Sequence, residues 1–552
     1  MTKPIYLQCN ECGHKQEYHP LEPTICGECK SAWVDAHYDY ASFKRELLRG
    51  LPGRPFNIWR YHEVLPVENP LDLNLDSIGG TPMRLSNNYA KYLNFEKLYI
   101  KDERVGPTNS FKDRQAAISV AQMREAGIQE MVIASTGNAA VAYASACAQG
   151  GIKLWAFMTS MVPPEKLREV ALYGAEVIKV SGTYDQTKLI AAEFAKRRGL
   201  LLDRGSTSLA ARESMKTIAY EIIEQLGWQA PDWYIQSVSG GLGPLGVFHG
   251  FQELQGMGLI DKIPAMAVIQ AEGCSPMVQA FKAGKSVADP VIPETRIAIL
   301  STGDPGKTYT YLWKLIQQFG GTMESVSDGE AFTAMKVVAK LDGLAVEPAA
   351  AVAFAGLQKM LKEGIINKNS TVIINCTGHT FPVEKHVLGD QWGVDLDLGE
   401  SELPTTLREG LQAALEHLDE KTTTVLIIDD NPDDAHLIRR ILESRKSYRV
   451  FHSNDSWDGL AQARQRLPDL IVLDLMMPQL DGFGVLEELK LDKRTRHIPI
   501  IVVSAKDISA DERKQLEGQI EALYQKGSLP PRKFAEQVIE VIEGKSANKG
   551  ES

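Results

Sequence analysis

The sequence is poor in the features that would tie it to nucleic acid or to a membrane. Its 60 Lys and Arg are outnumbered by 71 Asp and Glu, a formal net charge of -11. A phosphate backbone needs a basic face, so this balance argues against nucleic-acid binding as the main role. No apolar run reaches the roughly 18 residues of a membrane span. The opening MTKPIYLQCNEC carries no apolar stretch of the kind a secretory signal needs, and a cytoplasmic protein is expected. Internal repeats are missing as well. What remains is ordinary for globular chains, with 44% hydrophobic and 24% charged residues among 552; that length exceeds one core and predicts about three domains.

Cysteine is scarce, seven in all, and unevenly used. Cys147, Cys274 and Cys376 stand alone in apolar surroundings and read as buried free thiols. The other four form Cys9-x2-Cys12 and Cys26-x2-Cys29, thirteen residues apart. In a reducing compartment two such pairs predict a tetrahedral thiolate metal site rather than disulfides. Zinc is preferred, in a structural ribbon, with iron as the alternative. Gly13 and Gly27 suit the tight turns after each pair, and His14, His19 and His37 are read as surface residues rather than ligands.

A long α/β region follows the ribbon. Strands are predicted at 97–102, 130–135, 153–158, 176–182, 233–239, 265–271 and 370–378, and helices at 112–126, 138–149, 184–198, 209–226 and 328–341. Alternation of this kind gives parallel sheets covered by helices, with ligands beyond the carboxyl ends of strands. After Trp392 an acidic, Pro-containing stretch leads into one amphipathic helix near 404–419 and a threonine run, read as a linker; a second βα alternation then begins at Thr424 and repeats five times. The expected division is a ribbon at 1–40, a catalytic domain at 41–395, a linker at 396–421 and a second α/β domain at 422–545.

Four segments bear on chemistry. GPTNSFKDRQ (106–115) places Lys112 at a helix start; ASTGNAAVAY (134–143) turns from strand to helix through Ser135, Thr136, Gly137 and Asn138. SVSGGLGPLG (237–246) is a glycine-rich turn after a strand, and NCTGH (375–379) sets the Thr377 hydroxyl at another strand end. Together they supply an amine for an aldehyde cofactor, a phosphate cradle, a partner for a ring nitrogen and a grip for an amino-acid carboxylate: a pyridoxal phosphate site. GDPGKT (303–308) has two residues between its glycines where a phosphate loop needs four, and is read as a turn.

Residues 1–390 resemble the threonine synthase family of fold-type-II pyridoxal phosphate enzymes. The resemblance rests on GGTPMRL (79–85), the KDE-x-x-x-PT-x-SFKDR pattern (101–114), STGN (135–138), VSDGEAFTAM (326–335), VEPAAAVAFAGL (346–357) and CTGH (376–379), matched in order. It implies a catalytic unit of two three-layer α/β subdomains, often dimeric. It implies that Lys112 is the Schiff-base lysine and acid/base, that Asn138 meets the cofactor's phenolic oxygen, and that Thr377 faces the ring nitrogen. Gly240, Gly241, Leu242, Gly243 and Pro244 would surround the cofactor phosphate, and Ser135, Thr136 and Asn138 the substrate carboxylate. The substrate side departs from the family. Asn109 stands where a Gly precedes the SFKDR serine, Ala139 where a Thr follows STGN, and the Asn-Pro-x-Arg segment is absent from STSLAARESMKT (206–217). Arg212 and Lys216 are candidate ligands of a substrate phosphate. The implied activity is conversion of O-phosphohomoserine to threonine and phosphate. The alternatives are replacement at the β-carbon of O-phosphoserine, as in cysteate synthase, and a catalytically lost signalling module.

The C-terminal alternation begins VLIIDDNPDD, with Asp429 and Asp430 at a strand end, and DLIVLDLMMP ends its strand at Asp474. Converging carboxylates at strand ends suit Mg2+. With Ser504 ending IPIIVVSAKD and Lys526 ending ALYQKG, this order resembles a response-regulator receiver domain of the flavodoxin-like (βα)5 type. The resemblance implies that Asp474 is the phosphoacceptor, that Asp429 and Asp430 bind Mg2+ with it, that Ser504 and Lys526 contact the phosphoryl group, and that a histidine kinase is the donor. Leu523 replaces the usual aromatic switch residue, with Tyr524 beside it, and Gly527 replaces the usual Pro.

Overall fold

The computed structural model describes residues 4–19, 25–68, 77–160, 162–380, 394–396, 424–443, 449–478, 480–505, 508–526 and positions 534, 538 and 541. The chain divides into two compact units, Met1–Ser401 and Glu402–Ser552. The expected linker at 396–421 lies outside the described residues but for its first.

The first unit opens with three short antiparallel strands, β1 (Tyr6–Cys9), β2 (Lys15–Gln16) and β3 (Val34–His37), and helix α1 (Tyr40–Gly50). Next come β4 (Met83–Leu85), α2 (Asn88–Tyr92), β5 (Leu98–Asp102), α3 (Lys112–Glu125), β6 (Glu130–Ser135), α4 (Asn138–Gly150) and β7 (Lys153–Thr159). The chain continues through α5 (Pro164–Leu172), β8 (Glu176–Val180), α6 (Tyr184–Arg198), β9 (Leu201–Leu202), α7 (Leu209–Gln225), β10 (Trp233–Ser237) and α8 (Leu242–Gly256). It closes with β11 (Ala265–Ala271), α9 (Pro276–Lys282), α10 (Lys307–Phe319), β12 (Gly321–Val326), α11 (Asp328–Asp342), α12 (Pro348–Lys362), β13 (Val372–Cys376) and β14 (Val394–Leu396).

Two sheets result, ordered β12-β11-β10-β13-β5-β4 and β14-β8-β7-β6-β9. All pairs in them are parallel except β4 with β5. Their central strands are buried on both faces, as the near-continuous apolar runs VIINC and AMAVIQA require. The helices start and stop where local chemistry dictates. Thr183 and Ser327 close reciprocal capping boxes with Gln186 and Glu330 at the starts of α6 and α11, and Gly151, Gly199 and Gly343 end helices in the left-handed region. Helices α7 and α8 approach to backbone contact: a Cβ on Gly246 would lie 2.5 Å from the Arg212 carbonyl oxygen. The cysteine ribbon is not a separate body, because Leu7, Trp33 and Val34 share one core with Met215, Phe248 and Leu312.

The second unit is one parallel sheet, β16-β15-β17-β18-β19, from β15 (Thr424–Ile428), β16 (Arg449–Ser453), β17 (Leu470–Leu473), β18 (Ile500–Ser504) and β19 (Ala522–Gln525). Among the described residues, no helix of the chain is long and apolar enough to cross a membrane.

Candidate active site and receiver site

The SFKDR segment works by fastening the residues on both sides of its lysine. The buried Asp113 carboxylate accepts the Thr108 amide at 3.0 Å and the Thr108 hydroxyl, closing the preceding turn. Arg114 reaches the other way, donating to Glu103 at 2.8 Å and to Glu221 at 2.5 Å in a buried ion network that Lys101 shares. Burial pushes the Asp113 carboxyl up to about 6, against the Thr108 bonds. Lys112, the first residue of α3, is left facing a cavity of about 580 Å3. Its ammonium donates to Gln115 Oε1 at 3.2 Å. Loss of solvent in the cavity lowers it to about 8, while the Asp203 carboxylate works to raise it. Gln115, Tyr143 and Asp203 continue the contact: Gln115 Nε2 donates to the Tyr143 hydroxyl at 3.4 Å, and that hydroxyl lies 3.0 Å from Asp203 Oδ1.

Three strand ends converge on this amine. The segment after β13 pairs back on the Lys112 loop, with Phe111 N donating to the Thr377 carbonyl at 3.0 Å and His379 N to the Asn109 carbonyl at 2.9 Å. That pairing brings the buried Thr377 to the cavity wall. At the end of β6, Ser135 Oγ accepts the amides of Gly137 and Ala140, each at 3.1 Å, and so shapes the start of α4. The amides of Asn138 and Ala139 have no acceptor among the described residues, which leaves them for an anion. After β10, Gly241 takes φ +84° and turns the chain into α8; the amides of Gly240, Gly241, Leu242 and Gly243 are equally unclaimed. Pro244 lines the same wall but has no N–H to give.

In the second unit, the Asp429, Asp430 and Asp474 carboxylate oxygens lie within 4.8 Å of one another. Lys526 follows β19 and joins them, with Nζ 2.8 Å from Asp474, 2.9 Å from Asp429 and 3.0 Å from Asp434. Burial opposes its charge, but these three carboxylates outweigh that and raise it above the ordinary lysine value. Ser504, buried, ends the neighbouring β18.

A profile described as pyridoxal-phosphate dependent enzyme matches residues 75–378. The chain is 35% identical over 375 residues to threonine synthase of Methanocaldococcus jannaschii, covering 67% of this chain and 91% of that protein. Against threonine synthase of Methanosarcina acetivorans the identity is 33% over 377 residues, 68% of this chain and 91% of the other. The chain belongs to the pyridoxal-phosphate-dependent enzymes. A response regulator receiver domain profile matches residues 425–532, and the second unit is such a domain.

The residues present fit the family's cofactor. The cavity offers a lysine amine of lowered basicity, a run of unclaimed amides at a helix N-terminus, and a buried Ser237 hydroxyl with no partner. A side chain at Gly241 would strain the turn that forms the cradle, since its Cβ would meet Leu312 Cδ1 at 2.9 Å. The four ribbon thiolates also fit a metal. Their sulfurs all lie within 4.8 Å of one another, with Cys9 to Cys29 at 3.5 Å and Cys12 to Cys26 at 3.6 Å, near the about 3.8 Å edge of a tetrahedron with Zn–S bonds of about 2.3 Å.

Several sequence expectations need correction. Arg212 and Lys216 do not reach the cavity of this pyridoxal-phosphate-dependent enzyme. Arg212 is fully buried, bonded to the Ser206 and Val34 carbonyls and paired with Asp35; Lys216 is fully buried between Glu213 at 2.7 Å and Glu253 at 2.9 Å. Both fix the ribbon and α7 to the body. GDPGKT is more than a turn: Gly306 opens α10, and Asp304, Lys307 and Thr308 line the cavity. In the second unit, Leu523 joins the core on one face of the sheet, and its neighbour Tyr524 packs edge-on to Phe534 on the other, with ring centroids 5.4 Å apart.

Among the polar residues at the site that went unread in the sequence are Glu347, Lys166 and Asp203. Glu347, buried, accepts from Asn138 Nδ2 at 2.6 Å and pairs with Lys166 at 3.0 Å, and Lys166 also donates to Asn138 Oδ1. Glu347 sits in the matched block VEPAAAVAFAGL, which was the available signal; Lys166 and Asp203 had none.

Proposed function

We propose that the first unit is a threonine synthase-like lyase that converts O-phosphohomoserine and water to threonine and phosphate. The observation that supports it most is the convergence of Lys112, the unclaimed amides of 240–243 and of Asn138 and Ala139, and Thr377 on one cavity, in a chain that spans nine-tenths of a threonine synthase. Pyridoxal phosphate, when bound, supplies an aldehyde for the amine and a ring that takes up electrons from the substrate's α-carbon.

The protein's own groups do the rest. The amides of Gly240, Gly241, Leu242 and Gly243 hold the cofactor phosphate. Asn138, kept in place by Glu347 and Lys166, donates to the phenolic oxygen, and Thr377 meets the ring nitrogen as a neutral hydroxyl. Ser135, Thr136 and the α4 amides hold the substrate carboxylate. Lys112, titrating at about 8, can take a proton from carbon and return one at neighbouring positions near neutral pH. The C–O bond to phosphate breaks, and water supplies the hydroxyl of the product. In place of Arg212 and Lys216, the cavity-lining Lys188, Arg204 and Lys307 hold the substrate phosphate; Arg204 is exposed and pairs with no described side chain.

The departures at Asn109 and Ala139 favour a second reading, β-replacement on O-phosphoserine by sulfite or sulfide. Purified enzyme supplied with each phosphorylated amino acid in turn, with phosphate release and product mass followed, decides between them. Threonine from O-phosphohomoserine is expected. A cofactor-loaded protein that turns over neither would be a signalling module and would overturn both readings.

We further propose that Zn sits on Cys9, Cys12, Cys26 and Cys29, and Mg2+ on Asp429, Asp430 and Asp474. Asp474 takes the phosphoryl group from a histidine kinase in the cytoplasm, Ser504 and Lys526 contact that group, and its added charge tunes a homodimeric enzyme. Identical turnover with and without a small-molecule phosphodonor, in wild type and Asp474→Ala alike, would remove the regulatory part.

A further inference from the structure

The ribbon supplies a wall of the active cavity. Trp33, only 6% exposed, lines the cavity together with Lys112, Ser206, Gly241 and Thr308. Its indole packs on Tyr311 of α10 with ring centroids 4.6 Å apart, and the Arg212 guanidinium lies 5.4 Å from its ring centre.

Both thiolate knuckles hold this tryptophan. Cys9 is the cross-strand partner of Val34, the residue after Trp33, and the amide of Asn10 donates to the Trp33 carbonyl at 2.9 Å. From the second knuckle, the Cys26 amide donates to the Ser31 carbonyl at 2.7 Å, and the Ser31 hydroxyl accepts the Trp33 amide at 3.2 Å. A third connection leaves the first knuckle. Glu11, between Cys9 and Cys12, accepts from the Tyr311 hydroxyl at 2.5 Å and pairs with Lys307 at 3.1 Å. Lys307 is the first residue of α10, and its neighbour Thr308 meets Ser206 at 2.7 Å on the cavity wall.

Trp33 belongs to the core that joins the ribbon to the body, while its backbone is set by a strand of four residues and the two short knuckle loops. A metal closing the four thiolates fixes both knuckles, and folding free energy from that site is then spent on the geometry of the cavity. We infer that the metal site is a positioning site for catalysis: it holds Trp33 as the outer wall of the cavity and Glu11 as the brace of α10, and Trp33 thereby sets which substrate is admitted. This rests on the reading of the cavity as the pyridoxal phosphate site. The role is that of a wall and a brace, with no group transferred.

The test uses the full chain loaded with cofactor and metal, the metal identified by elemental analysis. Removing the metal with a chelator is expected to raise KM for O-phospho-L-homoserine about tenfold, the scale of one altered apolar wall, with a smaller change in kcat. Trp33→Ala with metal bound should do the same, and chelating that variant should add little. Returning zinc restores the wild type and not Trp33→Ala. A second readout needs no substrate. The emission that wild type has and Trp33→Phe lacks should be quenched when pyridoxal phosphate is added to the apoenzyme, and quenched less after chelation.

If wild type does not turn over O-phospho-L-homoserine, the proposed activity fails and the emission result alone decides the inference. Unaltered KM in metal-loaded Trp33→Ala, or a difference emission indifferent to both cofactor and chelator, overturns it. Should chelation unfold the chain, the metal-loaded Trp33→Ala result still decides.

Discussion

The basicity of Lys112 can be read through the pH dependence of cofactor capture. Only the neutral amine attacks an aldehyde. A lysine lowered from 10.5 to about 8 is about one-tenth neutral at pH 7, against about 0.03% for an unshifted one, a gain of about 300-fold. The rate at which apoenzyme forms its coloured adduct with pyridoxal phosphate should therefore climb about tenfold per unit below pH 7, reach half its limit near pH 8 and level off above. Asp203→Asn removes the one carboxylate that raises this lysine, so its midpoint should fall, by about one unit. The sign for stability follows from the same shift. The folded state holds the lysine proton less tightly than the unfolded chain, so the enclosed ammonium weakens the fold below about pH 8, and the apoenzyme gains stability as pH rises from there toward 10.5. Stopped-flow mixing across pH 6 to 10 checks the kinetic half, and thermal melts against Lys112→Met check the other. A capture rate that keeps rising tenfold per unit through pH 10, or an Asp203→Asn midpoint that moves up, would refute the reasoning.

Gly241→Ala must hold φ +84° and push its methyl to 2.9 Å from Leu312; a cost of about 1–2 kcal/mol should weaken cofactor binding about tenfold in equilibrium dialysis. Arg212→Ala removes a buried cation from Asp35, from the Val34 and Ser206 carbonyls and from the Trp33 face, and should lower urea-measured stability by about 3 kcal/mol, where a surface arginine would cost almost nothing. Lys526→Met takes a cation away from Asp429, Asp434 and Asp474; calorimetry should show tighter Mg2+ binding, while acid-labile phosphate from a small-molecule donor falls. Asp474→Ala should abolish that phosphate altogether.

The fold was legible because its strands are short apolar runs between well-signalled helices. The β6 and β11 ranges, 130–135 and 265–271, are the expected ones, and helix α6 spans the predicted 184–198. The strands expected at 176–182, 233–239 and 370–378 were drawn too long, by two to four residues, because their ends are polar or glycine-bearing segments that leave the sheet. Some of those overruns belong to the site: Val238, Ser239 and Thr377 leave the sheet and line the cavity. The second knuckle differs from expectation for a similar local reason. Lys30 takes the left-handed turn at φ 59°, while Gly27, the residue that composition suggested for it, keeps an ordinary φ.

Charge was harder to place than backbone. Arg212 and Lys216 stand at the start of a helix, where a one-dimensional reading offers either solvent or a ligand phosphate. Neither alternative includes what the structure shows, which is burial against Asp35 of β3 and Glu253 of α8, partners 177 and 37 positions away. The reverse holds for Lys166. It reaches Glu347, 181 residues on, and through it Asn138. A buried carboxylate is stable only when it is paired, so Glu347 in an otherwise apolar block implied a cation without naming it. The partner lies in another sheet's helix, and only the closing of the cavity brings the two together. The cofactor half of the site was therefore readable from short contiguous motifs. The groups that position it were not, because each contact joins segments whose spacing the sequence leaves free.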